Sequence, residues 1–142
     1  MKKWYGASAI CINSQGQLLM VLQGKPDEVK TWSVPSGERE EGETFEACCE
    51  RETKEETGCT IKVKQLLMTK KHVYPELEIE AEVHYFIVEL IDSTIKVDDP
   101  DQLIMEAKWQ PREALEQLQL SFPEDLSMLK GYLDKWKLEK MM

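Results

Sequence analysis

The sequence is short of positive charge. Eighteen Lys and Arg face twenty-seven Asp and Glu, leaving a formal net charge of -9. That balance repels polyanions, so duplex nucleic acid and anionic membranes are excluded as favoured partners. A small phosphorylated ligand is not excluded, because a bound cation can reverse the local field. Long apolar runs are also missing, and nothing approaches the length of a membrane span. Met1-Lys2-Lys3 is a basic start, but Trp4 to Ser8 leads into a short alternating run and not into a signal-peptide core. The four cysteines, Cys11, Cys48, Cys49 and Cys59, include no C-x-x-C pair. They read as small buried hydrophobes in a reducing compartment, and the expected location is cytoplasmic. The two histidines, His72 and His84, lack the spacing of a metal pair.

What is present fits one compact domain over residues 1–142. Tyr5–Ile12 and Gln17–Leu22 are strand-like and separated by Asn13-Ser14-Gln15-Gly16, a hairpin signal. Gln23–Thr31 reads as a surface loop, and Trp32–Gly37 as a short strand ending in a turn, with Pro35 excluding a helix. Thr44–Thr57 is the clearest helix, capped by Thr44 and stopped by Gly58. Thr60–Met68 and Leu77–Leu90 read as strands with a basic loop, Lys70-Lys71-His72, between them. Asp98–Asp101 is a loop, Met105–Gln110 a strand and Pro111–Leu118 a short helix. A last helix opens at Pro123, with Leu126, Leu129, Leu133 and Trp136 on its apolar stripe. Strands with helices before and after them predict an α/β fold, a mixed sheet sandwiched between helices.

The helix carries the chemistry. Helical spacing places Cys48, Cys49, Glu52, Glu55 and Glu56 on the stripe of Phe45, with Glu46, Glu50, Lys54 and Thr57 on the side expected to face solvent. The inward stripe thus begins apolar and ends in three carboxylates. A solvated acidic helix end is the simplest account of such a run. Yet three like charges near a helix C-terminus repel one another and the helix dipole. Only Arg51 stands near them as a counter-charge, and a hard divalent cation with oxygen ligands resolves the conflict.

The spacing also carries a resemblance. Gly37, five residues, Glu43, seven residues, then Arg51-Glu52-Thr53-Lys54-Glu55-Glu56-Thr57-Gly58-Cys59 resembles the Nudix box, G-x5-E-x7-R-E-U-x-E-E-x-G-U, with all seven fixed letters in place. Trp32 to Gly37 (W-x-x-P-x-G) and Glu106 to Trp109 (E-x-x-W) resemble the family more loosely. The resemblance implies hydrolysis of a nucleoside diphosphate linked to another moiety, with Mg2+ or Mn2+ as cofactor. It implies the Nudix fold and makes a homodimer a common assembly.

Carried over by resemblance, Glu52, Glu55, Glu56 and the Gly37 carbonyl form the metal site. Arg51 orients the cluster through Glu43 or a metal-binding Glu, and Gly58 turns the chain out of the helix. Glu55 is the first candidate for the base and Glu52 the second; some members place the base elsewhere, where Glu76, Glu78, Glu80 or Glu106 stand. Thr53 and Cys59 replace aliphatic residues, and Ser36 replaces the first glycine of the usual P-G-G turn. Gln23 stands where many members have Arg, so Lys25 or Lys30 is the expected phosphate contact. Trp32, Ser36, Lys71 and Glu106 are further candidates for substrate contact, and Ser121–Asp125 lies where some members meet a nucleobase. Two other readings stay open: isomerisation of an isoprenoid diphosphate, and a non-catalytic nucleotide sensor on the same fold.

Overall fold

The protein is described by a computed structural model covering all 142 residues. Seven strands and two α-helices follow in the order β1 (Lys2–Ile10), β2 (Leu18–Gln23), β3 (Thr31–Ser33), β4 (Ser36–Glu38), α1 (Phe45–Thr57), β5 (Thr60–Tyr74), β6 (Ile79–Asp92), β7 (Ile104–Gln110) and α2 (Leu126–Met141). They form a four-stranded mixed sheet, β4-β1-β6-β5, and a three-stranded antiparallel sheet, β3-β2-β7. Within the first sheet β1 runs parallel to β6 and antiparallel to β4.

The strand period of two splits β1 between two cores. Ala7, Ala9 and the following Cys11 pack with Cys48 and Cys49 of α1, Cys59, Ile61 and Phe86. Ile10 packs instead with Leu18, Met20, Tyr85, Leu115 and, from α2, Leu129 and Leu133. One helix therefore covers each side, as the sequence pattern predicts. All four cysteines are buried and unbridged.

Helix α1 begins where Thr44 accepts the Ala47 N–H on its hydroxyl at 3.0 Å. It ends at Gly58, whose φ of 85° is left-handed. A Cβ there would lie 2.3 Å from the Lys96 nitrogen, so close approach also requires glycine. The approaching segment closes the helix end: Lys96 N–H donates to the Thr57 carbonyl and Asp98 N–H to the Glu55 carbonyl. These bonds satisfy C-terminal carbonyls that a helix otherwise leaves open.

Four sequence expectations need correction. The residues flanking Asn13–Gly16 do not form a two-stranded hairpin, because β1 and β2 enter different sheets and meet only at the Ile12–Leu18 bridge. Likewise Trp32–Gly37 is not one strand: β3 and β4 lie in different sheets, and Pro35 sits at the crossing. Lys70-Lys71-His72 is not a loop, since β5 runs on to Tyr74 before a single 3-10 turn at Pro75–Leu77. Thr57 does not face solvent; it is fully buried and its hydroxyl donates to the Thr53 carbonyl. A buried hydroxyl bonded within the helix looks polar to a periodicity argument while behaving as core.

Candidate active site

Arg51 is the hub of the segment from Gly37 to Cys59. Its Nε and Nη2 donate to the two oxygens of Glu43, at 2.7 and 3.0 Å, a bidentate pair. Nη2 also donates to the Glu38 carbonyl at 3.0 Å, which ties α1 to β4. Nη1 reaches Glu52 at 2.7 Å and, more weakly, Glu55 at 3.4 Å. A planar fork suits this task, and lysine would not reproduce it. The bond to Arg51, outweighing slight burial, holds the Glu43 carboxyl below its ordinary range.

The three carboxylates at the helix end differ in surroundings. Glu56 is buried, with 7% of its surface exposed, and Oε1 accepts one hydrogen bond, from the Ser36 N–H at 3.0 Å. No cationic side chain pairs with it. Burial pushes its pKa well above the ordinary value; the Ser36 bond opposes this, while Glu52, Asp99 and Glu55 add repulsion. Burial also raises Glu52, against the pull of Arg51 and with added repulsion from Glu55 and Asp101. Glu55 is the most open of the three, with 30% of its side chain exposed against 15% for Glu52.

Gly37 fits tightly into this arrangement. A Cβ on it would stand 2.1 Å from Cδ of Glu52 and 2.3 Å from Oε2. The Glu52 carboxylate thus rests on the Gly37 backbone, in space that any other residue would fill. Glu52 and Glu55 turn toward Arg51 and Glu56 toward Ser36, so no three acidic, His or Cys side chains converge on one point.

Beside this cluster lies a cavity of about 280 Å³. Its walls are largely apolar, from Trp4, Leu77, Ile79, Ala81, Val83 and Phe122, and Ser36 joins it to the carboxylate cluster. Lys70 supplies its cation. The Lys70 amine lies 2.7 Å from Glu124, 3.1 Å from Asp125 and 4.7 Å from the centre of the Phe122 ring. Burial opposes the Lys70 charge, and the bonds it donates to Glu124 and Asp125 outweigh that, leaving the pKa raised. Asp125 is buried and also accepts the Tyr85 hydroxyl at 2.7 Å.

The other sequence candidates separate into near and far. Ser36 lines the cavity, and Trp32 lines a smaller adjoining one with Ser36, Tyr85 and Phe122. Lys25 sits on an exposed loop with its N–H on Glu28, and the Lys30 amine donates to the carbonyls of Lys25 and Glu28. Gln23 donates to the Ser33 hydroxyl. Neither lysine lines the cavity that Ser36 borders. Lys71 points away from that cavity toward Glu82, 3.8 Å away on the exposed strand surface. Glu106 is exposed on β7. Glu76 lies within the β5–β6 turn, Glu78 closes it and Glu80 is bound by Lys3, so these three do not join the cluster. His84 stacks on Phe45 at 3.6 Å and bonds Glu82, a structural role. Sequence reasoning missed Trp4, Asp99 and Asp101. Trp4 looked like part of an alternating strand, and the two aspartates like an ordinary polar loop.

Comparison with known proteins identifies the family and the fold. The family model described as NUDIX domain matches residues 2–131, and the chain belongs to the Nudix family. "Nudix hydrolase 6" of Arabidopsis thaliana is 31% identical over 111 residues, covering 76% of this chain and 39% of the relative. "8-oxo-dGDP phosphatase NUDT18" of Mus musculus is 29% identical, covering 78% of this chain and 33% of the relative. The chain therefore spans between a third and two fifths of the length of these curated relatives. Among solved structures, a NUDIX hydrolase from Nitrosomonas europaea superposes with a TM-score of 0.79 at 19% identity, covering 92% of this chain and 88% of the other. A structure described as UDP-X diphosphatase gives 0.73 at 18% identity, covering 96% and 65%. At such identities these likenesses show the fold. No helix is long and apolar enough to cross a membrane.

Proposed function

We propose that this chain is a pyrophosphohydrolase that cleaves the diphosphate linkage of a nucleoside diphosphate derivative with a divalent cation, Mg2+ or Mn2+. The observation that carries the reading is Glu56: a buried carboxylate, without a cationic partner, adjoining the Glu52 carboxylate that rests on Gly37. All donors there are hard oxygens, the set such cations prefer. Glu52, Glu55, Glu56 and the Gly37 carbonyl would hold the cation. When bound it would neutralise charge on the phosphoryl oxygens and lower the pKa of water.

The chain's own groups do the rest. Arg51 fixes Glu43 and steadies Glu52 and Glu55, so that these carboxylates face one side of the helix end. Glu55, the more open of the pair, takes the proton of the attacking water. Water forms a bond to phosphorus, the bridging P–O bond breaks, and the bridging oxygen leaves with the second phosphoryl group. The apolar cavity beyond Ser36 excludes water and receives the nucleoside, with Lys70 and Asp125 as polar contacts at its side. The printed names of two similar proteins, an 8-oxo-dGDP phosphatase and a UDP-X diphosphatase, support a nucleoside diphosphate unit in the substrate.

The test is a panel of nucleoside triphosphates, nucleotide sugars, ADP-ribose and dinucleoside polyphosphates incubated with Mg2+ or Mn2+, scoring release of monophosphate, phosphate or pyrophosphate. Glu55→Gln should cost roughly 10²- to 10⁴-fold in kcat with the melting temperature unchanged. Full activity in that variant would refute the base assignment. Binding of a panel nucleotide without turnover of any would favour a nucleotide-binding regulator.

A further inference from the structure

The Gly37 peptide is gripped by α1 at two points one helical turn apart. Glu52 rests on its Cα. Cys48, four residues earlier, donates its thiol to the Gly37 carbonyl at 3.5 Å. Residues four apart share a helix face, so both side chains meet the same backbone unit. The neighbouring Cys49 is equally buried in the same core, and the bond to Gly37 comes from Cys48. β4 itself is only three residues long and pairs with β1 on one side, where Gly37 stands opposite Ala7.

We propose that Cys48 is a positioning residue for the hydrolytic site: its thiol aims the Gly37 carbonyl and, with Glu52, sets where that carbonyl stands relative to the glutamates of α1. The inference rests on the reading of Gly37, Glu52, Glu55 and Glu56 as a cation site. A thiol is a weak donor, yet a carbonyl bonded in one direction has less freedom to lose when a cation binds it. An alanine at residue 48 would leave the helix intact and remove the bond from α1 to the carbonyl. A serine would keep a donor within reach of it.

The experiment compares the full chain with its Cys48→Ala, Cys48→Ser and Cys49→Ala variants. Mn2+ alone is titrated into each and free Mn2+ is read by electron paramagnetic resonance, with thermal melting recorded in parallel. Cys48→Ala should weaken Mn2+ binding roughly fivefold. Cys48→Ser should restore it to within about twofold of the parent. Cys49→Ala, a deletion of the same size in the same core, should lower the melting temperature while leaving Mn2+ binding unchanged. Equal Mn2+ affinity in Cys48→Ala and the parent would overturn the proposal, as would equal weakening by Cys48→Ala and Cys49→Ala. A parent chain that binds no Mn2+ would overturn the cation-site reading itself, so the two failures are separable.

Discussion

Replacing Glu56 by glutamine should stabilise the metal-free protein. The carboxylate is 7% exposed, accepts one hydrogen bond from Ser36 and has only acidic neighbours in Glu52, Glu55 and Asp99. Glutamine keeps the volume and the acceptor for Ser36 while removing the charge. Relief of an uncompensated buried charge is worth about 1–3 kcal/mol here, below the usual full penalty because one N–H already serves it. For a chain of this size each kcal/mol moves the melting temperature by about 3–4 °C, so a rise of roughly 3–12 °C is expected in EDTA at mildly alkaline pH.

The pH dependence follows from the raised pKa. Folding favours the protonated Glu56, so the stability linked to it is fully present below the ordinary value of 4.5 and is lost as pH rises through the raised value. Glutamine has no such loss, and the gap between parent and variant should open above that ordinary value and close below it. Saturating Mg2+ should reverse the order, raising the parent's melting temperature and barely moving the variant's. Calorimetry with and without EDTA measures all of this. A Glu56→Gln variant less stable than the parent in EDTA at alkaline pH would refute the reasoning, showing that the Ser36–carboxylate bond outweighs the charge.

Gly37→Ala would place its Cβ 2.1 Å from Cδ of Glu52, so Glu52 must leave its seat; activity should fall at least tenfold with roughly 1–3 kcal/mol of stability, read by turnover and denaturant melts. Arg51→Lys forfeits the bidentate bond to Glu43 and the tie to the Glu38 carbonyl, and should cost about 1–3 kcal/mol in the same melts; an unchanged midpoint would show that α1 does not need the fork. Ala81→Phe would fill part of the apolar cavity, raising KM for nucleotide substrates several-fold while Mn2+ binding stays constant; an unaltered KM would remove that cavity from the substrate path.

The helix was legible because helical spacing and capping are local. Thr44, Gly58 and the inward placing of Glu52 and Glu56 all follow from steps of three and four. The strand partners were less legible, since Asn13–Gly16 looks the same whether its flanks pair with each other or part into two sheets. The polar run Lys70-Lys71-His72 suggests an end to β5 at Met68, yet an edge strand can carry polar residues on both faces, and here Lys70 and His72 turn to the cavity while Lys71 turns to solvent. Asp99 and Asp101 reach the carboxylates through a long connection that no spacing rule ties to α1. Lys25 and Lys71, candidates for substrate contact, lie outside the lining of the cavity that Ser36 borders: their charge is visible in the sequence, their direction is not.

The bonds from Lys96 and Asp98 to the last carbonyls of α1 constrain how this protein can vary. The connection between β6 and β7 looks like a surface loop, where length is usually free to drift. Here two of its nitrogens, spaced two residues apart, are splinted to the end of the helix that carries Glu55 and Glu56. Insertions before Lys96 or after Asp98 leave the splint in register. A single residue added between them would lift one nitrogen off its carbonyl and let the glutamate end of the helix fray, so a loop transplanted from a relative has to keep that two-residue step.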